Sequence, residues 1–204
     1  MFVTLEGIDR SGKTTQAALL AEALGADTVL LREPGGTAAG ERIRDLLKDP
    51  GLELDPGAEL LLFCAARAEL ATRVIKPAKE AGRDVVCDRF IDSTAAYQGA
   101  ARGLGVELVE QLNSFVVGTC VPDVTVLLRI DPGAAEGRGQ QRLAAGDDDG
   151  ADRFEAEGIE LQRAVAAAYD ELAERHAERI VVVDGTGPPA AVHERVLAAV
   201  ANAG

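Results

Sequence analysis

The sequence predicts an α/β fold in which five parallel strands form a doubly wound sheet between layers of helices. Five short runs rich in β-branched and aliphatic residues recur along the 204 residues, helical segments separate them, and a glycine-rich loop directly follows the first run. Strands that alternate with helices are typical of parallel sheets, because each crossover returns the chain to the same edge. We expect a single domain over residues 1–204, large enough to bury its own hydrophobic core.

Each predicted strand is a short apolar run bounded by polar or turn-forming residues. The third run ends in Asp88, which is typical of a buried parallel strand that opens onto a ligand crevice at its carboxyl end. The predicted strands are Phe2–Glu6, Thr28–Arg32, Asp84–Asp88, Asp123–Ile130 and Arg179–Asp184.

Helical spacing of apolar residues predicts the crossovers. The long third helix should bend near Pro77, since proline has no N–H to donate to the preceding turn. We expect a polar lid over about 138–153, in which the three aspartates at 147–149 form a solvated loop. The predicted helices are Thr15–Leu24, Glu41–Lys48, Ala58–Ala81, Asp92–Ala100, Val106–Val117, one that ends near Leu143, Asp152–His176 and Pro189–Ala201.

The loop between the first strand and the first helix carries the most specific motif. From Gly7 to Thr14 its sequence is G-I-D-R-S-G-K-T, which matches the phosphate-binding pattern G-x-x-x-x-G-K-[ST] at every fixed position. Backbone N–H groups of such a loop surround a β-phosphate, Lys13 reaches the β- and γ-phosphates, and the Thr14 hydroxyl is placed to ligate magnesium. The predicted nucleotide-binding residues are Gly7, Ile8, Asp9, Arg10, Ser11, Gly12, Lys13, Thr14 and Thr15.

Charge and cysteine content argue against several classes of protein. A net charge of −13 disfavours a broad surface for nucleic acid or anionic membrane. No apolar run approaches the roughly 20 residues of a membrane span, and no signal peptide is recognisable. Cys64, Cys87 and Cys120 lack metal-binding spacing and are predicted to be buried in a reducing compartment. We expect a cytoplasmic protein with neither nucleic-acid nor membrane partners.

Further candidate residues lie in five short motifs downstream of the loop. Phe63 and Arg67 share a helix face by i,i+4 spacing, and a ring beside a guanidinium fork suits a planar base. Phe63 in an ordinary core, and Arg67 paired with Glu59 or Glu69, are the alternatives. No N-K-x-D element is present, which argues against a GTPase. The motifs are R-E-P-G-G-T at 32–37, L-F-C-A-A-R-A-E-L at 62–70, D-R-F at 88–90, S-T-A-A-Y-Q-G at 93–99 and D-R-F-E at 152–155.

With these motifs in this order, the chain resembles the thymidylate kinase family, which phosphorylates dTMP to dTDP with ATP in dTTP synthesis. The resemblance covers nearly the whole chain and implies a P-loop kinase fold, magnesium as cofactor and a homodimer. Two alternatives remain from the residues themselves. One is another nucleoside or nucleotide kinase of this architecture, such as a deoxynucleoside, uridylate or cytidylate kinase. The other is a nucleotide-binding switch without turnover.

The resemblance also implies an acceptor site for dTMP. Phe63 looks like the ring that stacks on thymine, and Arg67 like the residue that hydrogen-bonds the base edge. Tyr97 looks like the ring beneath the deoxyribose that disfavours a 2′-hydroxyl, and Thr94 stands where relatives often carry Asn or Gln. Arg32 and Arg89 would hold the acceptor phosphate, and Asp9 would contact the 3′-hydroxyl or the magnesium shell. The implied dTMP-binding residues are Asp9, Arg32, Pro34, Phe63, Arg67, Arg89, Thr94 and Tyr97.

Two arginines are candidates for neutralising the transferred phosphoryl group: Arg10 in the loop and Arg142 at the edge of the lid. Relatives with a basic loop residue tend to lack one in the lid, and residues 144–151 hold aspartates but no basic residue. We therefore expect Arg10 to supply the main charge, assisted by Arg142 and Arg138; an Arg10 that pairs with an acid in solvent is the alternative. Asp88 either supports magnesium from the second sphere or caps a turn. The predicted catalytic residues are Asp9, Arg10, Lys13, Arg89 and Arg142, and the predicted metal residues are Thr14 and Asp88.

Overall fold

The core of the protein lies on both faces of a parallel sheet. A computed structural model describes residues 1–145, 154 and 158–203. Within these residues the sheet has five strands, in the spatial order β2-β3-β1-β4-β5, and every pairing is parallel. The predicted sheet is therefore confirmed, with strand ends within one residue of the prediction. The strands are β1 (Phe2–Glu6), β2 (Val29–Arg32), β3 (Val85–Asp88), β4 (Val124–Arg129) and β5 (Ile180–Asp184).

Helices cover both faces of this sheet. Leu20 of the first helix and Val196 of the last pack with Val3 and Leu5 on one face. The third, sixth and eighth helices supply the core of the other face, with Leu60, Val109 and Leu172 among its buried residues. The helices are α1 (Lys13–Leu24), α2 (Ala38–Lys48), α3 (Pro56–Leu70), α4 (Lys76–Glu80), α5 (Ile91–Thr94), α6 (Val106–Val117), α7 (Pro132–Ala145), α8 (Ile159–Arg175) and α9 (Pro189–Ala203).

Three helices begin two or three residues earlier than predicted because of their caps. Helix α3 starts at Pro56, where the Asp55 side chain accepts from the N–H of Gly57. Helix α1 starts at Lys13, directly after Gly12 in a left-handed conformation with φ of 100°. Helix α2 starts at Ala38, where the Thr37 side chain accepts a hydrogen bond from the N–H of Gly40. The sequence prediction started each helix at its first apolar turn, which lies inside the capped end.

Wide π-helical turns interrupt two predicted helices. Residues Ala71–Ile75 form one between α3 and α4, so the irregularity lies before Pro77 rather than at it. Residues Ala95–Ala101 form the other after the short helix α5, where a continuous helix was predicted. Here the N–H of Arg102 donates to the carbonyl of Tyr97, five residues back, at 2.8 Å. Such turns occur frequently at functional sites.

The sheet register brings the carboxyl ends of three strands together. Asp88 of β3 is aligned with Leu5 of β1 on one side and with Arg32 of β2 on the other. Of the predicted lid, 138–153, the first residues belong to α7, which continues past Leu143, and 146–153 lie outside the described residues. Helix α8 begins at Ile159 rather than at the predicted Asp152.

The prediction that the cysteines are buried is confirmed. Cys64, Cys87 and Cys120 are all free and buried. None of the helices in these parts of the chain has the length and apolar character needed to cross a membrane.

Candidate active site

One cavity of about 970 Å³ opens at the carboxyl edge of the sheet and contains most of the predicted site. Gly7 and Ile8 of the loop do not line its wall, and neither does Arg67. The predicted residues that do line it are Asp9, Arg10, Ser11, Gly12, Lys13, Thr14, Thr15, Arg32, Pro34, Phe63, Asp88, Arg89, Thr94 and Tyr97.

The phosphate-binding loop is fixed against the sheet. A Cβ on Gly7 would lie 2.6 Å from the carbonyl oxygen of Leu128, so only glycine permits this approach to β4. Inside the loop, Lys13 donates from Nζ to the carbonyl of Ile8 at 2.6 Å and to Ser11 Oγ at 3.3 Å. Burial and, secondarily, the charge of Arg89 lower the pKa of Lys13 to about 8. The loop therefore holds a buried ammonium group where phosphate charge would offset its desolvation.

The two predicted metal residues lie side by side. Thr14 donates from Oγ1 to Asp88 Oδ2 at 2.5 Å. Hard oxygen donors of this kind suit Mg²⁺, which keeps several waters and uses one or two carboxylates together with substrate phosphates. Among the described residues, no group of three or more His, Cys, Asp or Glu side chains could hold a metal ion. The pair therefore fits a magnesium ion that arrives with a nucleotide rather than a closed protein cage.

Asp9 and Arg89 form an ion pair at the centre of the cavity. Arg89 donates to Asp9 Oδ1, to the carbonyl of Gly7 at 3.2 Å and to Tyr97 Oη at 3.3 Å. On its other side Asp9 accepts from Gln162 Nε2 at 2.7 Å, while its N–H donates to Gln162 Oε1 at 3.0 Å. Burial would raise the pKa of Asp9, but the charges of Arg89 and Lys13 outweigh it and hold the pKa below its ordinary value. Asp9 is thus an oriented carboxylate.

Aromatic rings line the cavity wall beside this pair. The Arg89 guanidinium lies over the ring of Tyr97, 5.1 Å from its centroid. The ring of Phe63 packs against that of Phe154, with centroids 5.8 Å apart and planes inclined by 56°. Phe63 borders the cavity on α3, so it is not simply part of the core. The rings and Thr94 surround a space suited to a flat, weakly polar group.

Arg67 lies behind this wall, fully buried in a polar network. Its five N–H donors go to Glu33 Oε2 (twice), Thr94 Oγ1, Asn113 Oδ1 and the carbonyl of Phe90, at 2.6 to 3.0 Å. The alternative partners from the sequence are ruled out, because Glu69 pairs with Arg73 and Glu59 with Arg102. Any contact of Arg67 with a base must share a donor that the network already uses, and its predicted base contact stays a prediction.

The loop arginine is directed toward α7. Arg10 has a left-handed backbone, with φ of 61°. A Cβ on Gly139 of α7 would lie 2.4 Å from three atoms of the Arg10 side chain, so this glycine leaves the space that the guanidinium occupies. Arg138 donates to the carbonyls of Ser11 at 3.2 Å and Gly185 at 2.9 Å, and so ties α7 to the loop. The side chain of Arg142 lies outside the described residues, and its assisting role stays a prediction.

Several residues of the cavity were missed by the sequence analysis. Arg44 and Lys48 lie four residues apart on α2 and line the cavity beside Arg32; this spacing was a usable signal. Glu33, the partner of Arg67, was quoted within its motif but given no role. Gln162 had no signal at all, since its contact with Asp9 spans 153 residues of sequence. Also in the wall and unassigned are Gln16, Ser93, Gln98, Gly185, Gly187, Pro189 and Val192.

A glycine loop with a buried lysine, a threonine–aspartate pair and a facing set of arginines, all at the carboxyl edge of a parallel sheet, defines a P-loop phosphotransferase. Comparison with known proteins gives the family: residues 5–196 match the family model described as "Thymidylate kinase". The chain belongs to the thymidylate kinase family.

Individual relatives match over nearly their whole length. The thymidylate kinase of Desulfosudis oleivorans is 47% identical to this chain, and the match covers 98% of this chain and 95% of that protein. That of Deinococcus radiodurans is 41% identical over 100% of this chain and 98% of its own length. The crystal structure of thymidylate kinase from Ehrlichia chaffeensis superposes with a TM-score of 0.76 at 36% identity and covers 98% of both chains. These matches do not favour another nucleotide kinase or a non-catalytic switch.

Proposed function

We propose that this protein transfers the γ-phosphoryl group of ATP to dTMP and that the residues of the cavity divide this task. The observation that carries the proposal is the shared cavity, whose wall holds one set made of Lys13, Thr14 and Asp88 and a second set made of the Asp9–Arg89 pair and the ring of Tyr97. A donor phosphate held by the first set would face an acceptor phosphate held by the second. Alignment of donor and acceptor is the main requirement of phosphoryl transfer.

The residues act by positioning and by charge. The loop amides and Lys13 bind the donor phosphates, and Arg10 neutralises the transferred group. Arg89 binds the acceptor phosphate, while Asp9, held by Arg89 and Gln162, orients the sugar. Thr14 and Asp88 hold Mg²⁺, which supplies charge neutralisation on the phosphates when bound. At the far end, Gly185, Gly187, Pro189 and Val192 offer an apolar wall for the donor base.

A lid role for 138–153 belongs to the same proposal. Two described residues support it: Arg138, at the start of this segment, contacts the loop, and Phe154, directly after it, contacts Phe63. A lid that excludes water would favour transfer to the acceptor over hydrolysis of ATP.

The direct test is ADP formation with ATP, magnesium and a panel of nucleoside monophosphates. We expect dTMP to be the best acceptor, dUMP to be weaker and purine monophosphates to give negligible rates. A single methyl group in an apolar pocket discriminates by about 10 to 200-fold, so some dUMP activity should remain. A purine monophosphate or an unphosphorylated nucleoside as the best acceptor would overturn the assignment.

Tyr97 should set the preference for deoxyribose. Its side chain is buried in the cavity wall, and burial raises the pKa of its hydroxyl, so it stays neutral. Tyr97→Ala should raise the efficiency with the ribonucleotide acceptor relative to dTMP, because the ring no longer fills the space near the 2′-position. Tyr97→Phe is the control that keeps the ring and removes only the hydroxyl. An unchanged ratio of the two efficiencies in Tyr97→Ala would limit the ring to a packing role.

We also propose that the protein is a homodimer that associates through α3 and α6. Exposed apolar side chains cluster on these neighbouring helices: Phe115 is 87% exposed, Leu61 61% and Leu108 51%. Leu108 and Phe115 are seven residues apart and therefore share a face of α6. A two-fold interface places the same patch on both subunits, so one apolar face suffices for both copies. Location in the cytoplasm stays a prediction.

Phe115→Asp should convert the dimer to a monomer, because it places a charge at the centre of this face. The measurement is molar mass by light scattering or sedimentation at several protein concentrations. Leu197→Asp, on the exposed side of α9 at the opposite face of the sheet, is the control and should leave the mass unchanged. A wild-type protein that is monomeric at all concentrations would contradict this assembly.

A further inference from the structure

A buried carboxylate outside the loop motif lies next to the acceptor site. Glu6, the last residue of β1, has no exposed surface and lies outside the wall of the cavity. It accepts three hydrogen bonds, from the N–H of Phe90 at 2.7 Å, from Ser93 Oγ at 2.6 Å and from Tyr169 Oη at 2.8 Å. The mechanism above assigns it no task.

These contacts surround Arg89. Arg89 has a left-handed backbone with φ of 71°, a conformation that is unfavourable for a non-glycine residue. Both peptide groups that flank it are held by the end of β1: the N–H of Arg89 donates to the carbonyl of Leu5 at 3.0 Å, and the N–H of Phe90 donates to Glu6. The first bond needs only backbone, whereas the second depends on the Glu6 side chain.

Glu6 also acts on the side chain of Arg89, through Ser93. Ser93 donates its hydroxyl proton to Glu6 Oε2, which leaves the Ser93 oxygen free to accept from Arg89 Nη1 at 3.2 Å. Glu6 therefore fixes the direction in which Ser93 presents its lone pairs. The backbone and the guanidinium of Arg89 are both oriented by one carboxylate.

An ionised acid meets this demand better than an amide does. Three donors converge on the two Glu6 oxygens, and a carboxylate has about four acceptor positions, whereas an amide has a single accepting oxygen and adds a donor. The arrangement is costly: burial and the nearby charge of Asp92 raise the pKa of Glu6 to about 7. An apolar core residue would avoid that cost, so a purely packing role does not account for an acid here.

We propose that Glu6 is a positioning residue that holds Arg89, through Phe90 and Ser93, in the orientation that binds the acceptor phosphate. This inference rests on the proposed function, because it uses the role of Arg89 toward dTMP. Tyr169 ties the same carboxylate to α8, whose Gln162 holds Asp9, so both members of the Asp9–Arg89 pair are oriented from outside the cavity.

The test is steady-state kinetics of Glu6→Gln with dTMP and ATP varied separately. We expect kcat/KM for dTMP to fall about 10 to 100-fold, the range that follows from a misplaced binding group, while KM for ATP stays within about twofold. Thr4→Val is the matched control, since Thr4 is a buried polar residue of the same strand whose hydroxyl bonds to Thr125, at 2.8 Å, rather than to the residues around Arg89. It should leave both substrates unaffected.

A second variant keeps the inference testable if Glu6→Gln folds poorly. Ser93→Ala removes the link between Glu6 and the Arg89 side chain and should show the same selective loss with dTMP. If the residues act as one unit, the double variant loses no more than the worse single variant. Equal losses for ATP and dTMP, or no loss, in folded variants of an active enzyme would overturn this inference alone. A wild-type enzyme that does not phosphorylate dTMP would overturn the proposed function, and this inference with it.

Discussion

Replacing Arg10 with alanine is expected to lower kcat by about 10³ to 10⁵-fold, or about 4 to 7 kcal/mol, while ATP still binds. The arginine that offsets charge on a transferred phosphoryl group is worth this much because it acts in a water-excluded site. ATP binding should persist because the loop amides and Lys13 remain. Single-turnover kinetics and equilibrium binding of ATP separate the two effects. Arg142→Ala should lower kcat by a smaller factor. A larger loss for Arg142→Ala than for Arg10→Ala would mean that the main catalytic charge lies in the lid.

The role of Arg10 can also be tested by displacing its side chain from α7, with a smaller expected loss of kcat. A Cβ on Gly139 would occupy the position of the Arg10 guanidinium, whereas a Cβ on Gly137, on the same helix, would have no neighbour within 4 Å among the described residues. Both changes to alanine favour the helix equally, by about 1 kcal/mol. Gly139→Ala should therefore lower kcat about 10-fold or more by displacing Arg10, while Gly137→Ala should leave kcat within about twofold. Equal rates in the two variants would mean that the position of Arg10 against α7 is unimportant.

The sequence was most informative where the structure depends on residues that are close together in the chain. The strand Phe2–Glu6 and the loop from Gly7 follow from local pattern, and the sheet follows from apolar runs that need both faces covered. The helix face of Phe63 was also predicted by spacing, and Phe63 lines the cavity. Periodicity identifies the side of a helix that faces inward, so it can predict which side chains of a single helix line a site.

Periodicity could not predict contacts between side chains that lie on different helices and strands. Acids on its own helix were the alternative partners for Arg67, yet its partner is Glu33, which follows β2. Helical spacing cannot show this pairing, because it depends on how α3 packs against the sheet. The π-helical turn at Ala95–Ala101 was missed for a related reason, since no residue type marks a change from i→i+4 to i→i+5 bonding. Ser93 and Gln98, which were quoted within a motif but given no role, line the cavity.

Arg89→Ala should lower kcat/KM for dTMP about 10² to 10³-fold, whereas Arg32→Ala should lower it only about fivefold or less. The two arginines were predicted to share the acceptor phosphate, but their surroundings differ. Arg89 has a side chain 19% exposed and is fixed by Asp9, Gly7, Ser93 and Tyr97. The side chain of Arg32 is 47% exposed and already pairs with Glu41, so water screens it. The measurement is kcat/KM for dTMP at saturating ATP.

Arg89→Ala has a second consequence, because it leaves the Asp9 carboxylate without its strongest counter-charge. The pKa of Asp9 should then rise toward its ordinary value or above, since burial is no longer opposed by Arg89. The double variant Asp9→Asn with Arg89→Ala removes that charge imbalance and separates the two explanations. If Arg89 binds the acceptor phosphate, activity stays low in the double variant. Recovery to near the wild-type rate would show instead that Arg89 serves chiefly to balance the charge of Asp9. The acceptor phosphate would then have to be bound by Arg32 of β2 with Arg44 and Lys48 of α2.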